Sequence, residues 1–270
     1  MNDDQWQRIL SLRQQGSRSD GSVSADRASP FSDLYRPIAL GRERFVLAQV
    51  GQSLDGRVAT PSGDAKEVSG CNGIEHLHRC RALVDAVIVG VGTVVADNPS
   101  LSVRAVPGVS PVRVVIDCNG RMPLNAKMLH DGGAPVIVVQ ASDVVLRCPE
   151  HETLQIDRQP NGELAPADIL AALSERGLTS ILVEGGATTI ARFMDAGLID
   201  RLHVSIAPII IGSGPAGINL PPIDLLRDAK RPSVTVHNIG TDIVFDCDLR
   251  AGAAADKLED RDKIPMAYPA

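Results

Sequence analysis

Ser180-Ile181-Leu182-Val183-Glu184-Gly185-Gly186-Ala187-Thr188-Thr189 runs from an apolar stretch through a glutamate and two glycines into Ile190-Ala191-Arg192-Phe193-Met194. The order of residue types spells strand, tight turn and helix. Two glycines at such a junction let the backbone come close to a ligand, and the free N–H groups of the following helix start attract phosphate. Glu184 closes the strand at the same place, so a carboxylate stands beside whatever the glycines hold. A plain strand-to-helix connection in an α/β domain has the same pattern, and this stretch taken singly leaves both readings open.

On either side, apolar strand-like runs alternate with amphipathic or loop segments. The runs cover 45–50, 84–91, 112–117, 135–140, 180–184, 202–211, 234–237 and 242–245. Val87-Ile88-Val89, Val136-Ile137-Val138-Val139 and Ile181-Leu182-Val183 are continuous rather than alternating, as strands covered on both faces must be. Helices fit 73–82, 167–176 and 188–196, the last stopping at Gly197. The strands after residue 200 follow one another without a long helix, which predicts an antiparallel edge. The expected fold is therefore α/β, in three layers, with a mostly parallel central sheet.

The 270 residues, 44% hydrophobic, suffice for one sizeable core. One domain is expected over 41–250, preceded by a leader or arm at 1–40 and followed by a loosely ordered tail at 251–270. A short helix fits 6–12, and residues 14–33 lack apolar period. A net charge of −6 without a long basic run argues against nucleic acid. No apolar run approaches membrane-spanning length, and the polar start Met1-Asn2-Asp3-Asp4 is unlike a signal peptide. Five cysteines without a CxxC pair read as reduced thiols, and a cytoplasmic location is expected.

A second glycine turn, Gly90-Val91-Gly92-Thr93, follows another continuous strand. It can offer backbone N–H groups and a hydroxyl to phosphate, although the full GxGxxG pattern is missing. Two such turns at the carboxyl ends of strands in one sheet suit a dinucleotide's pyrophosphate, because open α/β sheets bind ligands there. Ser53-Leu54-Asp55-Gly56-Arg57 leaves the first strand at an Asp-Gly turn and leads to the polar loop at 62–64. That loop can fold over a ligand or simply be a surface hairpin. Arg79, Arg81 and Arg104 point to a phosphate-bearing substrate, with a solvated helix face as the plain alternative for Arg79. Glu75, His76, His78 and Cys80 hint at a metal, yet His76 and His78 stand two apart on a helix and cannot face one ion together, so no metal is expected. There is no GxSxG and no recognisable catalytic cysteine. Chemistry belonging to a bound cofactor fits better.

Taken together these residues resemble the reductase domain of the bifunctional riboflavin-biosynthesis deaminase/reductase, a family with a dihydrofolate-reductase-like fold. Ser53-Leu54-Asp55-Gly56-Arg57, Arg81-Ala82, Asp85-Ala86, Gly90-Val91-Gly92-Thr93-Val94, Asp97-Asn98-Pro99-Ser100-Leu101-Ser102-Val103-Arg104, Val115-Ile116-Asp117 and Val183-Glu184-Gly185-Gly186-Ala187 occur in the family's order and approximate spacing. Ala207-Pro208 with Ile211-Gly212 adds a further match, and the resemblance covers about residues 43 to 250.

The resemblance implies NADPH-dependent reduction of the ribosyl group of 5-amino-6-(5-phosphoribosylamino)uracil to a ribityl chain. It assigns the cofactor to Gly90, Gly92, Thr93, Asp117, Arg121, Gly185, Gly186, Ala187 and Thr188, with Arg121 toward a 2′-phosphate. Asp97 and Glu184 would be the catalytic carboxylates. Ser53, Asp55, Leu101 and Arg104 would line the substrate, and Ser69 and Arg81 would meet its phosphate. It also implies a homodimer, for which the late strands offer an apolar edge. Departures are Glu67 where the family often has an aromatic residue, Met122 within Arg121-Met122-Pro123, and the lack of the deaminase's HxE and PCxxC zinc pattern. With aromatics at only 3%, a reductase of another pterin or pyrimidine stays open, as does a catalytically silent nucleotide binder.

Overall fold

A computed structural model describes residues 1–15, 30–41, 44–145 and 151–250. The expected tail at 251–270, and residues 16–29 of the expected arm, lie outside the described residues. The chain orders itself as α1 (Asp3–Gln15), α2 (Pro30–Leu40), β1 (Phe45–Ser53), α3 (Cys71–Ala82), β2 (Ala86–Gly90), α4 (Val91–Asp97), β3 (Val112–Ile116), α5 (Lys127–His130) and β4 (Val136–Ala141). It continues with β5 (Glu152–Ile156), α6 (Pro166–Ser174), β6 (Ser180–Glu184), α7 (Ala187–Asp195), β7 (Arg201–Ala207), β8 (Ser233–Asn238) and β9 (Ile243–Asp248).

The strands form one sheet in the order β5-β4-β3-β2-β6-β1-β7-β9-β8. From β5 to β7 every pairing is parallel, whereas β9 runs antiparallel to both β7 and β8. This is the mostly parallel sheet that the continuous apolar runs predict, with the antiparallel edge expected from the strands that follow one another after residue 200. In β6 the reason is visible residue by residue. Leu182 packs into a core shared with α1, α2, α3 and α4, while Ile181 and Val183 pack into the opposite core with α6 and α7. A strand with a helix layer on each face needs apolar side chains at successive positions, and alternation disappears.

Five elements differ from the expectation. Residues 3–15 and 30–40 are helices docked on the body: Trp6, Ile9, Leu34, Tyr35 and Ile38 are buried in the first core, and Trp6 Nε1 donates to the Pro107 carbonyl at 2.8 Å. Strand β5 has only Leu154 and Ile156 buried and five residues in all, too short a pattern to stand out from its polar surroundings. The segment after Gly90 is not an open loop but the helix α4, which ends at Asn98 in the left-handed conformation. The strand expected over 202–211 stops at Ala207, and Ile209 and Ile210 lie exposed in the loop beyond.

Candidate functional site

Strands β1, β2 and β6 stand side by side, so their carboxyl ends open together on a cavity of about 920 Å³. Gly90 and Gly186 are the residues immediately before α4 and α7. The first N–H groups of a helix have no partner within it, and here those of two helices border one space. The two starts interlock. A side-chain carbon at Gly186 would stand 3.3 Å from Thr93 Oγ1, and one at Gly90 only 2.7 Å from Thr189 Oγ1. Gly185 and Gly186 also have φ of +55° and +63°, the left-handed region that only glycine enters without strain. Gly90, Gly92, Thr93, Gly185, Gly186, Ala187 and Thr188 all line the cavity, as does Arg121.

Two carboxylates reach the same space in different states. Glu184 is buried at the end of β6, and its oxygens accept from Arg81 Nε and Nη2, each at 2.7 Å. Arg81 Nη1 donates to the Ser102 carbonyl at 3.1 Å. The arginine expected to meet a phosphate is therefore held edge-on by a carboxylate, because burial demands that each charge neutralise the other. Asp97, at the end of α4, has no ion-pair or hydrogen-bond partner among the described residues, and partial desolvation pushes its carboxyl above the ordinary range. It is the free acid group at this rim. Ser69 and Leu101 also line the cavity, and Leu101 adopts φ of +52°.

Four expected site residues lie outside the lining. Ser53 is fully buried and donates to Asp55 Oδ1 at 2.6 Å. Asp55 also accepts from the backbone N–H groups of Ile211 and Gly212, and the Ser53 bond first, with these backbone bonds, holds its carboxyl at about 2. The pair pins the Asp-Gly turn to the loop after β7 rather than facing the cavity. Asp117 is buried and accepts from Arg121 N and Met122 N, both at 2.8 Å, so it shapes the turn that presents Arg121. Arg104 is exposed, and its backbone N–H donates to His78 Nδ1 at 3.0 Å. In Ser53, Asp55 and Asp117 the polar side chain satisfies nearby backbone, which motif matching cannot distinguish from ligand binding.

Lys66 and Arg192 are lining cations that the sequence reading missed. Arg192 is tied to Glu163 at 2.9 Å, while the Lys66 ammonium has no partner among the described residues. Its signal lay in the polar loop at 62–64, which does reach the cavity through Gly63. Among the described residues no helix is long and apolar enough to cross a membrane.

Known proteins resemble this arrangement. The riboflavin biosynthesis protein RibD of Bacillus amyloliquefaciens is 33% identical over 206 residues, covering 74% of this chain and 56% of that protein. The 2,5-diamino-6-ribosylamino-4(3H)-pyrimidinone 5′-phosphate reductase of Methanothermobacter thermautotrophicus is 31% identical over 214 residues, covering 75% of this chain and 96% of the relative. A crystal structure of a Thermotoga maritima diaminohydroxyphosphoribosylaminopyrimidine deaminase/5-amino-6-(5-phosphoribosylamino)uracil reductase superposes with a TM-score of 0.67 at 26% identity, over 80% of this chain and 59% of the other. The chain thus spans little more than half of the two-activity proteins and nearly all of the single reductase. The family model described as the RibD C-terminal domain matches residues 44–245, and the chain belongs to that family.

Proposed function

We propose that the chain is an NADPH-dependent reductase that converts the ribosyl group of 5-amino-6-(5-phosphoribosylamino)uracil, or its 2,5-diaminopyrimidinone counterpart, to the ribityl form. The observation that carries the proposal is the pair of interlocked glycine-led helix starts on one cavity, with the unpaired Asp97 carboxylate at its rim. The space beside Gly185 and Gly186, which side-chain carbons would narrow, fits a pyrophosphate, and Thr93, Ala187 and Thr188 would complete the cradle. Arg121 would meet the 2′-phosphate that distinguishes NADPH from NADH. When bound, the nicotinamide supplies a hydride to C1 of the ribosyl group.

The chain's own part is positioning. Asp97 hydrogen-bonds the sugar and, with a carboxyl raised by desolvation, carries the proton that must accompany ring opening. Glu184 and Arg81 hold the wall between β6 and α3, and the Glu184 oxygens keep their outer lone pairs for the substrate. Lys66 is the free cation for the substrate phosphate, with Ser69 beside it. Incubation with NADPH and each pyrimidine phosphate tests this. The expected result is loss of reduced-nicotinamide absorbance and a product heavier by two hydrogens. NADPH binding without oxidation in the presence of either compound would leave a silent nucleotide binder instead.

A further inference from the structure

Away from the cavity, a group of buried side chains takes no part in the reaction proposed above. His76 and Cys80 stand one turn apart on α3 and so share a face. Strand β7 brings His203 against them from the sheet. All three are fully buried, and one donor atom from each lies within 4.8 Å of the other two. Cys80 Sγ is 3.7 Å from His76 Nε2 and 3.9 Å from His203 Nδ1. A zinc ion with ordinary bonds to nitrogen and sulfur would set such donors about 3.5 Å apart.

The outer nitrogens are already engaged. His76 Nδ1 lies 2.9 Å from the Tyr35 hydroxyl, and His203 Nε2 lies 3.3 Å from Asp246 Oδ1, within ion-pair reach although not lined up as a full hydrogen bond. Partners of this kind fix the ring orientation and tautomer of metal-bound histidines. With both outer nitrogens protonated, both inner nitrogens turn lone pairs toward the thiol. A third imidazole stands within electrostatic reach of both histidines: His237 on β8 is 7% exposed, and its Nε2 is buried without a hydrogen-bond partner among the described residues. A buried imidazole nitrogen left unpaired is costly, and a metal would satisfy it.

We propose that His76, Cys80 and His203, completed by His237 turning inward, form a structural zinc site that ties α3 to the antiparallel edge of the sheet. On binding, the thiol proton leaves to solvent and a zinc–sulfur bond forms; the three histidines enter neutral and no oxidation state changes. The site would fix the helix that carries Arg81 and, through Tyr35, the helix pair α1–α2.

The full chain, produced with zinc in the medium and dialysed, should hold about one zinc per chain by elemental mass spectrometry. Cys80→Ala and His203→Gln should lose it by about tenfold or more, whereas Cys71→Ala, which removes an exposed thiol, should keep it. Because the core variants can fail to fold, the wild-type chain loaded with cobalt(II) serves as a separate measurement, and a thiolate-to-cobalt charge-transfer band is expected. Wild-type chain without zinc, cobalt-loaded chain without that band, or zinc retained by folded Cys80→Ala would each overturn the proposal. The cluster would then be a chain of hydrogen bonds from Tyr35 through the thiol to Asp246.

Discussion

At Glu184 one side chain meets both a demand of folding and the chemistry proposed for the cavity. Its two oxygens face Arg81 while its position lines the cavity, so a substitution there removes more than the proposed substrate contact. Glu184→Gln keeps the shape and one acceptor but leaves the Arg81 guanidinium buried beside a neutral group. The expected cost is about 1–3 kcal/mol in urea unfolding, together with a fall in turnover. NADPH affinity should change little, because the glycine turn beyond it is intact. A variant with unaltered unfolding midpoint and full turnover would remove both roles. Neither the bidentate pairing nor the burial is visible in the residue string, since Arg81 and Glu184 are 103 positions apart.

Among the elements, the turn from β6 into α7 is the one the sequence announces most clearly. An apolar run covered on both faces, a double glycine and a nine-residue helix appear in the structure at nearly the positions expected. The turn's closeness to the start of α4 was not legible, because it depends on β2 and β6 being neighbours. Gly186→Val places a β-branched side chain at φ of +63°, within 3.3 Å of Thr93 Oγ1 and over the helix start. NADPH affinity should fall by about tenfold or more, roughly 1.4 kcal/mol, in a fluorescence titration. Unchanged affinity with retained fold would show that pyrophosphate does not lie there. The division between this variant and Glu184→Gln separates cofactor binding from substrate handling.

For the whole molecule, among the described residues the sheet ends at β8 with no strand beyond it. Strand β8 is mostly exposed, with Val234 at 45% and Val236 at 57%, and Ile243 of β9 adds to the same region. An exposed strand edge with apolar side chains invites pairing, and a second copy of this chain is the expected occupant, related by a two-fold axis. Light scattering at micromolar concentration should give twice the chain mass. Val236→Lys should shift the protein to the monomer without unfolding it, since that side chain lies on the outer strand. A wild-type monomer under these conditions would show that the edge stays open.

The order of residue types along the chain decided the layers: runs of valine, isoleucine and leucine without alternation demand a sheet covered on both faces, and glycines after two of them demand tight entries into helices. These are local consequences of backbone sterics and side-chain polarity, so they are legible wherever the run is long enough. Short β5, with two buried positions, and the helix α4, hidden behind a glycine motif, fell below that threshold. Long-range pairing was decided only by the tertiary structure. It gave Ser53, Asp55 and Asp117 to backbone amides, gave Arg81 to Glu184, and left Lys66 and Asp97 without partners among the described residues at the cavity. It also joined His76 and Cys80 to His203 across 123 residues, where the spacing of His76 and His78 had argued against a metal. A side chain's chemistry depends on which groups reach it, and at such separations in sequence only the folded sheet determines that.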